Sequence, residues 1–266
     1  MRGAGVKSWK AAVLGIAVLA AAPVATIAAF LFTPSLDVWR HLASTVLPRY
    51  VLNSLTLMCG VGAGSLILGV GTAWLVCMNS FPLRRFFEWA LIVPLAIPSY
   101  VIAFTYTGLL EYNGPAQVFL RGLFGWSTAA DYWFPSIRSL PGAAVMMTLV
   151  FYPYVYLLSR AAFLEQSVCV LDAGRTLGLG AWRAFWRVAL PLARPAVAGG
   201  LALVLMETLG DFGLASFFAV DTFVTGIYRT WLGQGRPAVA AQLGAVLMLF
   251  ILALLVLERT SRRGRV

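Results

Sequence analysis

Charge is scarce in this chain. Of its 266 residues, 11% are Asp, Glu, Lys or Arg, where a soluble domain carries about 25%. So few charges cannot cover a water-soluble fold of this size, which excludes a cytosolic enzyme and a disordered chain. Lysine is nearly absent, with only Lys7 and Lys10. With no lysine beyond Lys10 and no G-x-x-x-x-G-K-[ST] run, the chain has no Walker A cradle for the phosphates of ATP. His41 is the single histidine. It reads as an ordinary outer-surface residue, and one histidine argues against a histidine-based metal centre. The three cysteines build no framework. Cys59 and Cys77 share one apolar run, separated by about 27 Å along a helix. Cys169 stands alone and there is no C-x-x-C, so a secreted disulfide scaffold is excluded as well.

What is present is apolar mass. Hydrophobic residues make up 61%, against roughly 45–50% in a soluble domain. Six uncharged or nearly uncharged runs stand out: Ala11 to Phe32, Leu52 to Met78, Trp89 to Leu110, Ser139 to Ser159, Pro195 to Val220 and Pro237 to Leu257. Each is long enough for about 30 Å of hydrocarbon. The expected fold class is all-α, a polytopic membrane protein with six transmembrane helices. Pro94, Pro98 and Pro153 lie inside runs, which favours a packed bundle whose neighbours satisfy the freed carbonyls. The first run exceeds a signal-peptide core of about 7–15 residues and reads as a retained helix.

The net charge of +10 suits membrane sidedness better than nucleic acid, because the arginines are spread between apolar runs. With the N-terminus inside, the inner segments hold 14 basic residues and the outer loops 6. Both termini are therefore expected in the cytoplasm. In the outer loops, residues 33–51 read as a short amphipathic piece with Trp39, Leu42 and Val46 on one stripe. Residues 111–138 carry Trp126, Tyr132, Trp133 and Phe134, rings that suit the membrane–water boundary. The expected organisation is an N-terminal helix and amphipathic segment over 1–49, a domain of five transmembrane helices over 50–258, and a basic tail over 259–266.

The inner loop from Arg160 to Arg194 is amphipathic. Val168, Leu171, Leu177, Trp182, Phe185, Trp186 and Leu190 recur near helical spacing, with Arg175, Arg183 and Arg187 between them. Gly178-Leu179-Gly180 suits a helix end and turn. The expectation is two short helices in an elbow along the membrane surface, the second ended by Leu190-Pro191. Such a pair is either a surface element or a docking helix for a soluble partner. Trp182 and Trp186, at i and i+4, suit a hot spot for the second role.

These residues resemble the permeases of binding-protein-dependent ABC importers. That family carries E-A-A, three residues, G, nine residues, I-x-L-P in this loop. Here Asp172-Ala173-Gly174 is followed by Arg175-Thr176-Leu177, then Gly178, and nine residues later Val188-Ala189-Leu190-Pro191. Asp replaces Glu, Gly replaces the second Ala and Val replaces Ile. Asn53-Ser54-Leu55 is similar to the start of the family's permease domain. Pro94-Leu95-Ala96-Ile97-Pro98-Ser99-Tyr100, Glu207-Thr208-Leu209-Gly210-Asp211-Phe212-Gly213, Asp221-Thr222-Phe223 and Gly226-Ile227-Tyr228-Arg229 resemble the ferric-iron branch. The resemblance implies a type I importer permease bundle (the MetI-like fold) with cytoplasmic coupling helices, multi-pass in a bacterial inner membrane. It implies a subunit without enzymatic activity, driven by a separate ABC ATP-binding subunit and supplied by a periplasmic substrate-binding protein. Docking of the ATPase would fall on Asp172, Ala173, Gly174, Arg175, Gly178, Trp182, Leu190 and Pro191. Permeases of the iron branch usually hold two six-helix halves. This sequence holds one, so a second half is expected, either another copy or the remainder of a longer chain. No cofactor is implied. Thiamine, polyamine and phosphate permeases share the same frame. A stand-alone channel or ion-coupled carrier is the alternative outside the family, and it gives no reason for the spacing around Gly178.

Glu207 and Asp211 lie four residues apart within the fifth run, so a continuous helix would put them on one face. Asp at a helix centre costs roughly 2.5–3.5 kcal/mol on insertion scales, so the pair is expected to face the bundle interior or water. Oxygen ligands suit a hard cation passing by. The other readings are polar packing between helices and a helix break at Asp211-Phe212-Gly213. Tyr152, Tyr154 and Tyr156 step by two and are expected to splay to different faces. Gly60, Gly62, Gly64, Gly69 and Gly71 are expected to allow close helix approach.

Overall fold

The computed structural model describes residues 2–33, 36–166 and 180–263, and among them the secondary structure is entirely helical. Helix α1 covers Arg2–Phe30, α2 Leu36–Ser44 and α3 Leu47–Met78. Arg84–Ala90 forms α4, Ser99–Leu110 α5, Pro115–Phe124 α6 and Leu140–Glu165 α7. After the elbow region come α8 (Ala181–Ala184), a π turn over Phe185–Ala189, and α9 (Leu190–Gly210). Then follow α10 (Phe212–Phe217), α11 (Phe223–Tyr228), a second π turn over Arg229–Gly233, and α12 (Pro237–Arg263).

Five of these stretches are long and apolar enough to cross a membrane, and a bent pair makes a sixth. The bent pair is the third apolar run. It is not one rod, because its two parts meet at 102°. Pro94 sits in a 3₁₀ turn over Val93–Ala96, Ile97 is extended, and Pro98 precedes α5. A proline offers no N–H to the turn before it and pushes the preceding residue out of helical geometry. Two of them four residues apart therefore end one helix and open another.

The fifth run departs from expectation at both ends. Leu190-Pro191 does not end a surface helix. Pro191 stands in the first turn of α9, where its missing N–H is tolerated, and the chain reaches it from α8 through the π turn. At the far end α9 stops at Gly210, and Asp211 is extended at φ −74° and ψ 101°.

The core lies among α3, α7 and α9, with Leu57, Val61, Met147, Val155, Tyr156 and Phe163 almost fully buried. Glycines set its closest approaches. A Cβ on Gly69 would stand 2.6 Å from Val155 Cβ, and one on Gly200 would stand 2.8 Å from Val155 Cα. Gly64 is similarly tight against Thr148, while Gly60 and Gly62 make looser contacts and Gly71 faces open space. The close-approach reading thus holds for part of the glycine set and fails for Gly71. Tyr152 and Tyr156 do not splay. Four residues apart, they share a face of α7 and donate to Leu91 O at 2.9 Å and Glu88 O at 3.2 Å. Tyr154 alone points elsewhere.

Helix α1 has no buried side chain among its described ones and packs against α12. Gln242 of α12 donates to the Phe30 and Thr33 carbonyls at 2.9 and 3.0 Å, satisfying acceptors at the open end of α1. It also accepts from Trp39 Nε1. Trp39, Leu42 and Val46 share one stripe, and it packs on Val239 and Leu243.

Candidate functional site

At the Gly210 end of α9 the two carboxylates separate. Glu207 is exposed on the isolated chain, three residues before the helix ends, and Tyr154 Oη lies 3.4 Å from its Oε1. Asp211 lies outside the helix, and its Oδ1 accepts from Leu214 N at 2.7 Å. The expected shared helix face is therefore not formed. The break reading holds, because an Asp free to cap the first turn of α10 competes with continuing α9. Among the described residues no arginine, lysine or histidine pairs with Glu207.

Around this break the separate sequence stretches meet. Asn53 Nδ2 donates to Asp221 O at 2.9 Å, and Ser54 Oγ accepts from Phe223 N at 3.3 Å. Thr222 and Thr225 form a capping box that opens α11. A Cβ on Gly213 would touch Tyr100 Cβ at 3.2 Å. Motifs that are up to 169 residues apart in the chain thus contact one another directly. Asp221 also pairs with Arg49 at 3.5 Å and Arg229 at 2.8 Å. The hydrogen bond to Asp221 holds the Arg229 guanidinium above its ordinary value. Nothing in the sequence flagged Arg49 as part of this cluster.

The loop from Glu111 to Arg138 is built rather than merely aromatic. Tyr132 Oη donates to Gln117 Oε1 at 2.5 Å, and Gln117 Nε2 to Leu110 O at 2.7 Å. Trp126 stacks between Phe124 and Tyr132. Asp131, fully exposed, is held below the usual carboxylate range by backbone N–H groups of Thr128 and Ser127.

At the Met78 end, Asp172, Ala173, Gly174, Arg175 and Gly178 lie outside the described residues. Trp182, Leu190 and Pro191 are described. Trp182 and Trp186 are exposed, but their rings stand beside the α3 stretch around Trp74 rather than beyond the helix ends. Phe185 joins them to the core through Trp74 at 5.0 Å. Gln166 Nε2 donates to Ala189 O at 2.9 Å, tying the end of α7 to the π turn. A cluster missed by the sequence reading lies close by: Glu88 pairs with Arg84 at 3.3 Å and with Arg160 at 3.2 Å. Glu88 sits one residue outside an apolar run, and no local pattern links it to Arg160.

Residues 65–263 match the family described as binding-protein-dependent transport system inner membrane component. The chain belongs to that family. Among its relatives, the chain is 28% identical to the putative ferric transport system permease FbpB 1 of Haemophilus influenzae, over 85% of this chain and 35% of that one. It is equally 28% identical to the molybdenum transport permease ModB of Escherichia coli K12, over 76% of this chain and 87% of that one. The chain spans about a third of the length of the ferric relatives it matches. Its fold matches a chain of the bacterial alginate ABC transporter solved with a pentasaccharide-bound periplasmic protein, at TM-score 0.79 and 16% identity over 97% of this chain and 93% of that one. A methionine ABC transporter chain matches at 0.63 and 16% identity, over 82% and 95%.

Proposed function

We propose that this permease forms the translocation path of an iron(III) importer, with the Met78 end and both termini in the cytoplasm. Residues 50–258 act as the permease domain. The path runs along the Glu207 face of α9, closed by a second permease half. A periplasmic binding protein delivers the ion, and a separate ATP-binding subunit drives the change of access through the elbow at Asp172, Ala173, Gly174, Arg175 and Gly178, transmitted through α8, Leu190 and Pro191.

Glu207 carries this reading. An exposed carboxylate without a described cationic partner suits a passing hard cation and repels an oxyanion. It also disfavours lipid against that face, which supports a water-lined path covered by the second half. Asp211 serves as a cap at the break and stands where the path would bend. Transient contact is the fitting form, since a tight site would hold the ion. The ferric relatives support the cargo in the same direction.

The second reading is an oxyanion path, favoured by the molybdenum and sulfate relatives of similar identity. Uptake into vesicles containing the reconstituted complex decides between them. Iron(III) uptake that falls in Glu207→Gln supports the first reading, whereas molybdate uptake indifferent to that change replaces it. The coupling role is tested by co-purification with the ATP-binding subunit. Gly178→Trp is expected to lose the complex while still inserting into the membrane, and a retained complex rejects the elbow as the docking site.

A further inference from the structure

A cavity of about 670 Å³ opens between α3 and the α8–α9 stretch, away from the Glu207 face. Leu66, Val70 and Trp74 wall it on one side, and Trp182, Trp186 and Arg194 on the other. Arg194 is the one ionisable wall residue among the described residues. The transport path proposed above does not use this groove.

The helix register shows how deep Arg194 lies. Helices α3 and α9 run antiparallel, and Gly62 meets Leu201. Seven residues along each helix, Arg194 stands level with Gly69, about 14 Å short of the Met78 end of α3. Arg194 is exposed on the isolated chain, on the wall of a groove between two apolar helices. A guanidinium beside apolar helix faces is best placed against a counter-charge. Among the described residues none is paired with it. Neither Leu47–Met78 nor the stretch from Gly180 to Met206 contains an Asp or Glu. Among the described residues no carboxylate pairs with Arg183, Arg187 or Arg194. Trp182 and Trp186 precede Arg194 in the chain and stand nearer the Met78 end, beside Trp74, where indole rings favour the headgroup boundary.

We propose that the groove holds an acyl chain of an anionic phospholipid whose phosphate pairs with Arg194. The apolar walls take the chain. The guanidinium reaches toward the headgroup on its long stem and presents a fork of N–H donors to the phosphate oxygens. Arg183 and Arg187, on the turns next to the boundary, add attraction for anionic lipid. The tryptophan pair, which sequence spacing alone suited to a soluble partner, then serves as the rim of a lipid site. Charge complementarity selects this occupant over an apolar helix from a second copy, which would leave Arg194 without a counter-charge.

The test uses the full chain in phosphatidylcholine vesicles with chain-brominated lipids as quenchers. The fluorescence of Trp182 and Trp186 is read as the difference between wild type and the Trp182→Phe/Trp186→Phe chain. Brominated phosphatidylglycerol is expected to quench at about fivefold lower mole fraction than brominated phosphatidylcholine, the effect of one arginine near an anionic headgroup. Arg194→Gln removes that preference and Arg194→Lys keeps most of it. Should Arg194→Gln fail to fold, wild type alone gives the answer: unbrominated phosphatidylglycerol relieves quenching by brominated phosphatidylcholine more than unbrominated phosphatidylcholine does. Equal quenching by the two lipids overturns the proposal, as does a preference that survives Arg194→Gln. Tryptophans quenched by neither lipid overturn it too, because a protein helix then covers the groove.

Discussion

Replacing Gly69 with alanine is expected to force α3 and α7 apart. The new Cβ would lie 2.6 Å from Val155 Cβ, 2.8 Å from Val155 Cγ1 and 2.9 Å from the Tyr152 carbonyl oxygen. Two of these atoms belong to a β-branched side chain with one strongly favoured rotamer on a helix. The third is backbone. None can swing aside, so the helices themselves must move. Overpacking of this kind destabilises by about 1–3 kcal/mol. Alanine's better helix propensity offsets about 1 kcal/mol of that. The upper half of the range applies because the obstruction includes backbone, leaving a net loss of about 1–2 kcal/mol. At about 2–4 °C per kcal/mol, the midpoint of thermal unfolding in detergent should fall by about 2–8 °C. Gly71, two residues on, has nothing within 4 Å of its would-be Cβ, so Gly71→Ala should raise the midpoint through propensity alone. Val155→Ala introduced together with Gly69→Ala should recover part of the loss, since the two changes share one contact. A Gly69→Ala chain as stable as Gly71→Ala would refute the packing argument.

Three further outcomes are expected. Glu207→Gln removes a charge while keeping an acceptor for Tyr154, and should lower iron(III) uptake by about tenfold, the scale of one charge-assisted contact; uptake at the wild-type rate rejects the path role. Asp211→Ala removes the α10 cap and should lower stability by about 1 kcal/mol, whereas Asp211→Asn keeps the cap, so a transport loss in Asp211→Asn with an unchanged unfolding midpoint would mark a role for its charge. Asp131 is held below the usual carboxylate range by its two backbone donors, so its contribution to the Glu111–Arg138 loop is complete above about pH 4 and is lost as pH falls through the lowered value; near-ultraviolet circular dichroism of the Trp126–Tyr132 stack should report that loss, and Asp131→Asn should abolish the transition.

Most of the helical framework was readable from the chain, because a span of lipid demands a long uncharged run and such runs are unmistakable. The elements were misjudged or left open where proline or aspartate acts on backbone geometry. Pro94 and Pro98 turned one expected rod into two pieces at 102°, and at Asp211 the break, one of the readings the sequence left open, is the one formed. Pro191 looked like a stop and is a first-turn residue. In each case the composition of the run is unchanged by the event, so hydropathy is blind to it.

The sequence by itself determined the solvent of this protein, the number of apolar segments and the spacing around Gly178 that resembles the signature of its family. Those properties depend on local composition and fixed offsets along one chain. Only the tertiary structure decided which residues meet: Asn53 with Asp221, Glu88 with Arg160, Gly69 with Val155, and Arg194 with an apolar groove beside Trp182. Such pairings follow from the rotation and tilt of one packed helix against another. Interlocking side chains set that rotation across the whole bundle, and no short window of sequence records it.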